Sequence, residues 1–139
     1  MDSVAELNSG SITFSNGSRI TGRAAGKDSL RGLVIDQVVI MDAAWMSHKT
    51  LEDTIFSTRY AASTATSKLI IQSTPKIAGD IFHQFYENAD LKIHQAWSLH
   101  PHRDNIWAEK FKLNNGASSF ASEYDALFIH DFKKETDPS

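Results

Sequence analysis

The sequence predicts an α/β fold organised around a short parallel sheet, on three observations. Residues 33–46, LVIDQVVIMDAAWM, contain Val34, Ile35, Val38, Val39 and Ile40, a run too β-branched for a comfortable helix and too continuously apolar for a half-exposed strand. Directly after it, Leu51, Ile55, Phe56, Arg59 and Tyr60 recur at helical spacing. Residues 68–75, KLIIQSTP, then form a second short apolar run that ends in two hydroxyls and a proline, which has no N–H to continue a ladder. Strand, helix, strand makes a βαβ unit, whose crossover sets the strands parallel with both carboxyl ends facing one crevice. Residues 34–41 and 68–73 are therefore expected as buried neighbours, the first covered on both faces, with Asp42 and Ser73 emerging at the same edge.

A chain of 139 residues fits one domain, and 41% apolar with 22% charged residues is an ordinary balance for a packed core. The formal net charge of −3 excludes a generally basic, DNA-coating protein but leaves room for a local basic patch. With no cysteine, neither a disulfide framework nor a thiolate metal site is available, which fits a reducing cytosol. The first eight residues have no basic or apolar signal region, and no apolar stretch approaches the ~20 residues that span a bilayer. The expectation is a soluble, untargeted, cytoplasmic chain without a membrane partner.

Taken in order, residues 10–25 read as a β-hairpin: SITFS alternates, Asn16 and Gly17 give a two-residue turn signal, and SRITGRA alternates back. Residues 22–29, GRAAGKDS, superficially suggest a phosphate-binding loop. Three residues rather than four separate its glycines, and Asp28 follows Lys27 where a Mg²⁺-binding hydroxyl belongs, so a polar connecting loop is predicted. Ser47 is a suitable N-cap for a helix over 48–62, which the Ser/Thr-rich residues 63–67 interrupt. A helix over 80–88 follows from Ile81, Phe82, Phe85 and Tyr86 on one face. Alternation over 91–97 predicts a third strand, and amphipathic helices are predicted over 105–113 and 117–128. The tail, residues 133–139, is polar and predicted to be disordered.

Asp42 closes the first buried strand, where open α/β sheets bind ligands and where nucleotide hydrolases place the Walker B acid that holds Mg²⁺ or orients water. An aspartate there also serves as an N-cap in many folds. Arg19, Arg23, Lys27 and Arg31 cluster within thirteen residues, enough to meet a phosphate backbone or a neighbouring subunit's nucleotide, although such clusters are more often solvated faces. Among six histidines, His94, His100 and His102 invite a metal reading. His100 and His102 flank a proline that holds them in an extended segment, and Asp104 also fits a turn, which disfavours a zinc site.

Five segments occur in one order over about residues 10–130: NGSRI at 16–20, LRG at 30–32, MDAAW at 41–45, LIIQSTP at 69–75 and FASEYDALF at 120–128. Together they resemble the second half of the ATPase domain of the large terminase subunit of tailed phages, the motor that pumps DNA into the capsid. The resemblance implies a partial three-layer P-loop NTPase sheet of the ASCE type with flanking helices, lacking the Walker A strand and loop and the nuclease domain. Residues 1–132 would form the C-terminal portion of that ATPase domain. It implies Asp42 as a catalytic or Mg²⁺-binding acid, Ser73 and Thr74 as nucleotide-sensing and coupling hydroxyls, and Arg19, Arg23 and Arg31 as phosphate or subunit contacts. The implied cofactors are ATP and Mg²⁺. The implied partners are double-stranded DNA, the portal protein, other terminase subunits and a separate chain bearing the P-loop.

The family carries Asp-Glu before its small-small-aromatic tripeptide. Aligned without a gap, Met41 stands at the metal-binding aspartate and Asp42 at the catalytic glutamate; in the other register Asp42 is the metal ligand and Ala43 replaces the glutamate. Either way one of two carboxylates is gone, and a thioether does not hold hard Mg²⁺. Met41 is expected to fold into the neighbouring core beside Asp42. Two function classes follow: part of an enzyme, inactive in isolation, or a non-enzymatic prophage remnant or structural interaction module.

Overall fold

The computed structural model describes residues 3–62 and 64–129, so the predicted tail at 133–139 falls outside the described residues. The chain opens with a three-stranded antiparallel meander of β1 (Val4–Leu7), β2 (Ser11–Phe14) and β3 (Arg19–Thr21). The hairpin predicted over 10–25 is the β2–β3 pair, with Ile12 opposite Ile20. Its turn differs from the two-residue type that Asn16 and Gly17 suggest. Phe14 N–H bonds Ser18 O and Gly17 N–H bonds Phe14 O, and of the loop residues only Gly17 has a positive φ, +85°. That is a three-residue loop in which glycine takes the left-handed position. The Asn16 carboxamide oxygen fixes it by accepting from Ser18 N–H at 2.9 Å. Sequence reasoning missed β1, a four-residue strand with both faces exposed.

The βαβ unit forms as predicted, with β4 (Gln37–Ile40), a 3₁₀ turn (Ala43–Trp45), α1 (His48–Ala61) and β5 (Lys68–Ile71). β4 and β5 pair in parallel, Gln37 opposite Lys68 and Ile40 opposite Ile71. Both strands are shorter than expected: β4 begins only at Gln37, the Ile35 N–H turning aside to bond Ala61 O at 2.7 Å at the helix C-terminus, and β5 ends at Ile71. Ser47 caps α1 by accepting from Thr50 N–H at 3.1 Å. The helix buries Leu51 and Ile55 against Ile40, Ala43, Ala44 and Phe82, with Val38, Ile71, Phe85 and Phe128 around them.

The predicted burial of the first strand on both faces is not what folds. Strand alternation sends Val38 and Ile40 to the core, whereas Val39 stays 51% and Met41 64% exposed, beside Ile70 at 43%. Met41 therefore does not fold into the core as expected. It follows the strand's two-residue period, one step from Ile40, onto the face that nothing among the described residues covers.

The C-terminal part contributes α2 (Ile81–Glu87), a 3₁₀ turn (Trp97–Leu99), α3 (Asn105–Asn115) and α4 (Ala117–Glu123). Asp80 and Asp104 cap α2 and α3 by accepting from His83 and Trp107 N–H, both at 2.8 Å. Residues 91–97 form no strand: Leu91 and Ile93 are exposed, and the segment is held instead by His94 Nε2 on the carbonyls of Asp125 and Ala126. Alternation describes a side-chain pattern, but a strand also needs an edge to pair with. The helix expected over 117–128 stops at Glu123, and Ala126 takes φ +54° where the chain turns back.

Trp97, Trp107, Phe111 and Tyr124 surround the fully buried Phe120 with ring centroids 4.5–6.0 Å apart. This second core ties to the first where the Ser122 hydroxyl donates to Pro75 O, Ile129 N–H donates to Lys76 O, and Phe128 stacks on His83. The described residues thus form a mixed α/β chain with two small sheets and four α-helices, none long and apolar enough to cross a membrane.

Deleting Leu51 (Leu51→Ala), fully buried between helix and sheet, is expected to cost about 2–5 kcal/mol in a urea titration. Leu113→Ala, at an 85% exposed position, should stay within about 0.5 kcal/mol of wild type. Equal effects would show that the core is misplaced.

Candidate functional site

The carboxyl edge of the parallel pair is where the chain concentrates polar chemistry. Beyond the strands the ladder runs on: Gln72 N–H bonds Ile40 O at 2.8 Å, and Ala43 N–H bonds Gln72 O at 3.2 Å. The next two residues of each strand exchange side-chain bonds. Ser73 Oγ accepts from Ala44 N–H at 3.1 Å, and Thr74 Oγ1 accepts from the Trp45 indole N–H at 3.0 Å. Lys76 Nζ lies 5.0 Å from the centre of the Trp45 ring, within reach of a cation–π attraction. Sequence reasoning brought Asp42, Ser73 and Thr74 to one edge and missed Lys76, whose only signal was its place two residues past the hydroxyls.

Asp42 sits at the hinge of this edge with φ +53° and ψ +36°, the left-handed region. For a non-glycine residue that conformation carries strain that aspartate tolerates better than most, and such outliers gather at functional positions. The tight reversal drives Ala43 and Ala44 into the core, and Trp45 N–H closes the turn on Asp42 O at 3.0 Å. The Asp42 side chain does not cap the turn and is exposed. The N-cap reading of this acid therefore fails: the helix cap belongs to Ser47, five residues on.

The cations of the basic cluster fall on different elements, with Lys27 and Arg31 lining one cleft. Arg19 donates to Ser11 Oγ at 3.0 Å on the meander, Arg23 is exposed in the following loop, and Arg31 pairs with Asp28 at 3.4 Å. Residues 26–33 are a chain of tight turns, with Ser29, Arg31 and Leu33 N–H bonding Gly26, Asp28 and Leu30 O. This is the connecting loop predicted; no cradle of amides leads from a strand into a helix. His100 and His102 stack edge to face at 5.9 Å.

This edge offers the Asp42 carboxylate, while the Ser73 and Thr74 hydroxyls already accept from Ala44 and Trp45; Mg²⁺ is ordinarily bound through one or two carboxylates together with waters and substrate phosphates. Among the described residues no group of three or more His, Asp or Glu side chains stands ready for a metal. No protein-family model matches the sequence, and a comparison with curated proteins found no match.

Asp42→Gly should leave stability unchanged or raise it by up to about 1 kcal/mol, because glycine enters the left-handed region freely and loses only backbone entropy, whereas Asp42→Val should cost about 1–2 kcal/mol. Met41→Asp, on the open face, should move the denaturation midpoint by less than the equivalent of about 0.5 kcal/mol. A large loss in Asp42→Gly would mean that the carboxylate holds the turn.

Proposed function

We propose that this chain is part of an ATP-driven DNA-packaging motor of the large-terminase kind, supplying the acid and sensing side of a nucleotide site whose phosphate-cradling loop belongs to a separate chain. The observation that supports it is the parallel β4–β5 register, which sets Asp42, Ser73 and Thr74 at one edge. In phosphoryl transfer nearly all catalysis is positioning and charge. Ser73 Oγ accepts from Ala44 N–H and keeps its own proton to donate to a phosphate oxygen. Loss of that phosphate would alter a bond anchored on the turn that leads into α1, a short route from nucleotide state to helix position. In the composite site the exposed Asp42 carboxylate orients or deprotonates an attacking water. ATP and Mg²⁺ enter with the P-loop partner; double-stranded DNA, the portal and other motor subunits are the macromolecular partners of this reading.

The open face of β4 and β5, with Val39, Met41 and Ile70 in solvent, favours a second reading as a non-enzymatic interaction module. Phosphate release separates the two. The isolated chain is expected to release no phosphate from ATP. The polypeptide encoded immediately upstream is expected to carry a Gly-x-x-x-x-Gly-Lys-Ser/Thr segment, and its mixture with this chain should hydrolyse ATP. Asp42→Ala should lower that rate by about 10²-fold or more. Phosphate release by the isolated chain that survives Asp42→Ala, or an inert mixture, would overturn the ATPase reading.

A further inference from the structure

A separate cleft of about 360 Å³ opens between the 27–32 turns and the second half of α1, lined by Lys27, Asp28, Leu30, Arg31, Phe56 and Tyr60 among others. Its two walls differ in chemistry. On the helix side Phe56 and Tyr60, one turn apart, meet edge to face at 5.1 Å and stay 49% and 76% exposed. They leave aromatic surface in water above Ser57, which is buried and donates to Thr54 O. On the loop side stand the two cations. Arg31 makes an exposed ion pair with Asp28 at 3.4 Å, a kind of contact weak enough for an incoming dianion to displace. Gly32, at φ +75°, lets the chain turn directly after Arg31 without a side chain in the cleft mouth.

Phe56 lies eight residues after the first residue of α1, so about 12 Å of helix separates the cleft from the end of α1 that adjoins the Asp42 turn. The cleft is therefore separate from the Asp42 edge. Aromatic surface facing two cations across a space of this size matches a ligand that is a flat ring at one end and an anion at the other. We propose that the cleft binds a nucleotide, with its base against Tyr60 and Phe56 and its phosphate on Arg31 and Lys27. The nucleotide is either free or one unit of a single strand. Asp28, released from Arg31, then faces the base or sugar as an acceptor.

The test is amide NMR of the full chain, titrated separately with AMP, adenosine, inorganic phosphate and an oligothymidylate strand. AMP is expected to shift the amides of Lys27, Arg31, Gly32 and Phe56 to Tyr60 with saturation below about 5 mM. Adenosine and phosphate should each bind at least about fivefold more weakly, and Tyr60→Ala and Arg31→Ala should each weaken AMP by a similar factor or more. Both substitutions are at exposed side chains, and retained peak dispersion shows that the variants fold. Stronger binding of the oligothymidylate assigns the site to single strands, and stronger binding of AMP assigns it to free nucleotide. The proposal is overturned if neither shifts these amides, if phosphate alone matches AMP, or if Tyr60→Ala leaves both affinities unchanged.

Discussion

The parallel pairing of β4 with β5 is the constraint on which the rest depends. Four paired residues are a short ladder, and a two-stranded sheet in water is marginal by itself. What makes it persist is that the ladder does not stop where the strands do. Backbone bonds continue through Gln72 and Ala43, then a serine and a threonine on one strand take over as acceptors for an amide and an indole on the other. The same residues that extend the sheet place Ala43 and Ala44 under α1, so the site edge and the hydrophobic core share one anchor.

The second consequence is asymmetry. Ile40, Leu51, Ile55 and Phe82 pack on one side of the sheet while Val39, Met41 and Ile70 face water on the other. Parallel sheets are ordinarily covered on both faces, and here one apolar face of the pair lies open among the described residues. The aromatic core around Phe120 lies elsewhere and is tied to the strand ends through Pro75, Lys76 and Phe128, which makes the C-terminal helices a brace for the carboxyl edge.

What was legible in the sequence was what local chemistry decides. The β2–β3 hairpin, the Ser47 cap, the period of α1 and the parallel sense of β4 and β5 follow from patterns within a few residues and from crossover geometry. The failures share a cause. An apolar run cannot say which of its faces will find a cover, so Met41 was placed inside and lies outside. Alternation at 91–97 cannot say whether an edge is free, and Leu91 and Ile93 found none. At the site, that the two parallel strands end at one edge was readable. The left-handed turn at Asp42 and the indole bond from Trp45 to Thr74 were not, since both depend on how the chain reverses after the strand.

Amide hydrogen exchange tests the central claim, that the strand pair and the edge beyond it are one cooperative unit. If they are, the amides of Gln72, Ala43 and Ala44 exchange with nearly the same opening free energy, and denaturant lowers all three together. If Ala44 exchanges freely while Gln72 remains protected, the serine contact is incidental, and the carboxyl edge is not the assembled site described for it.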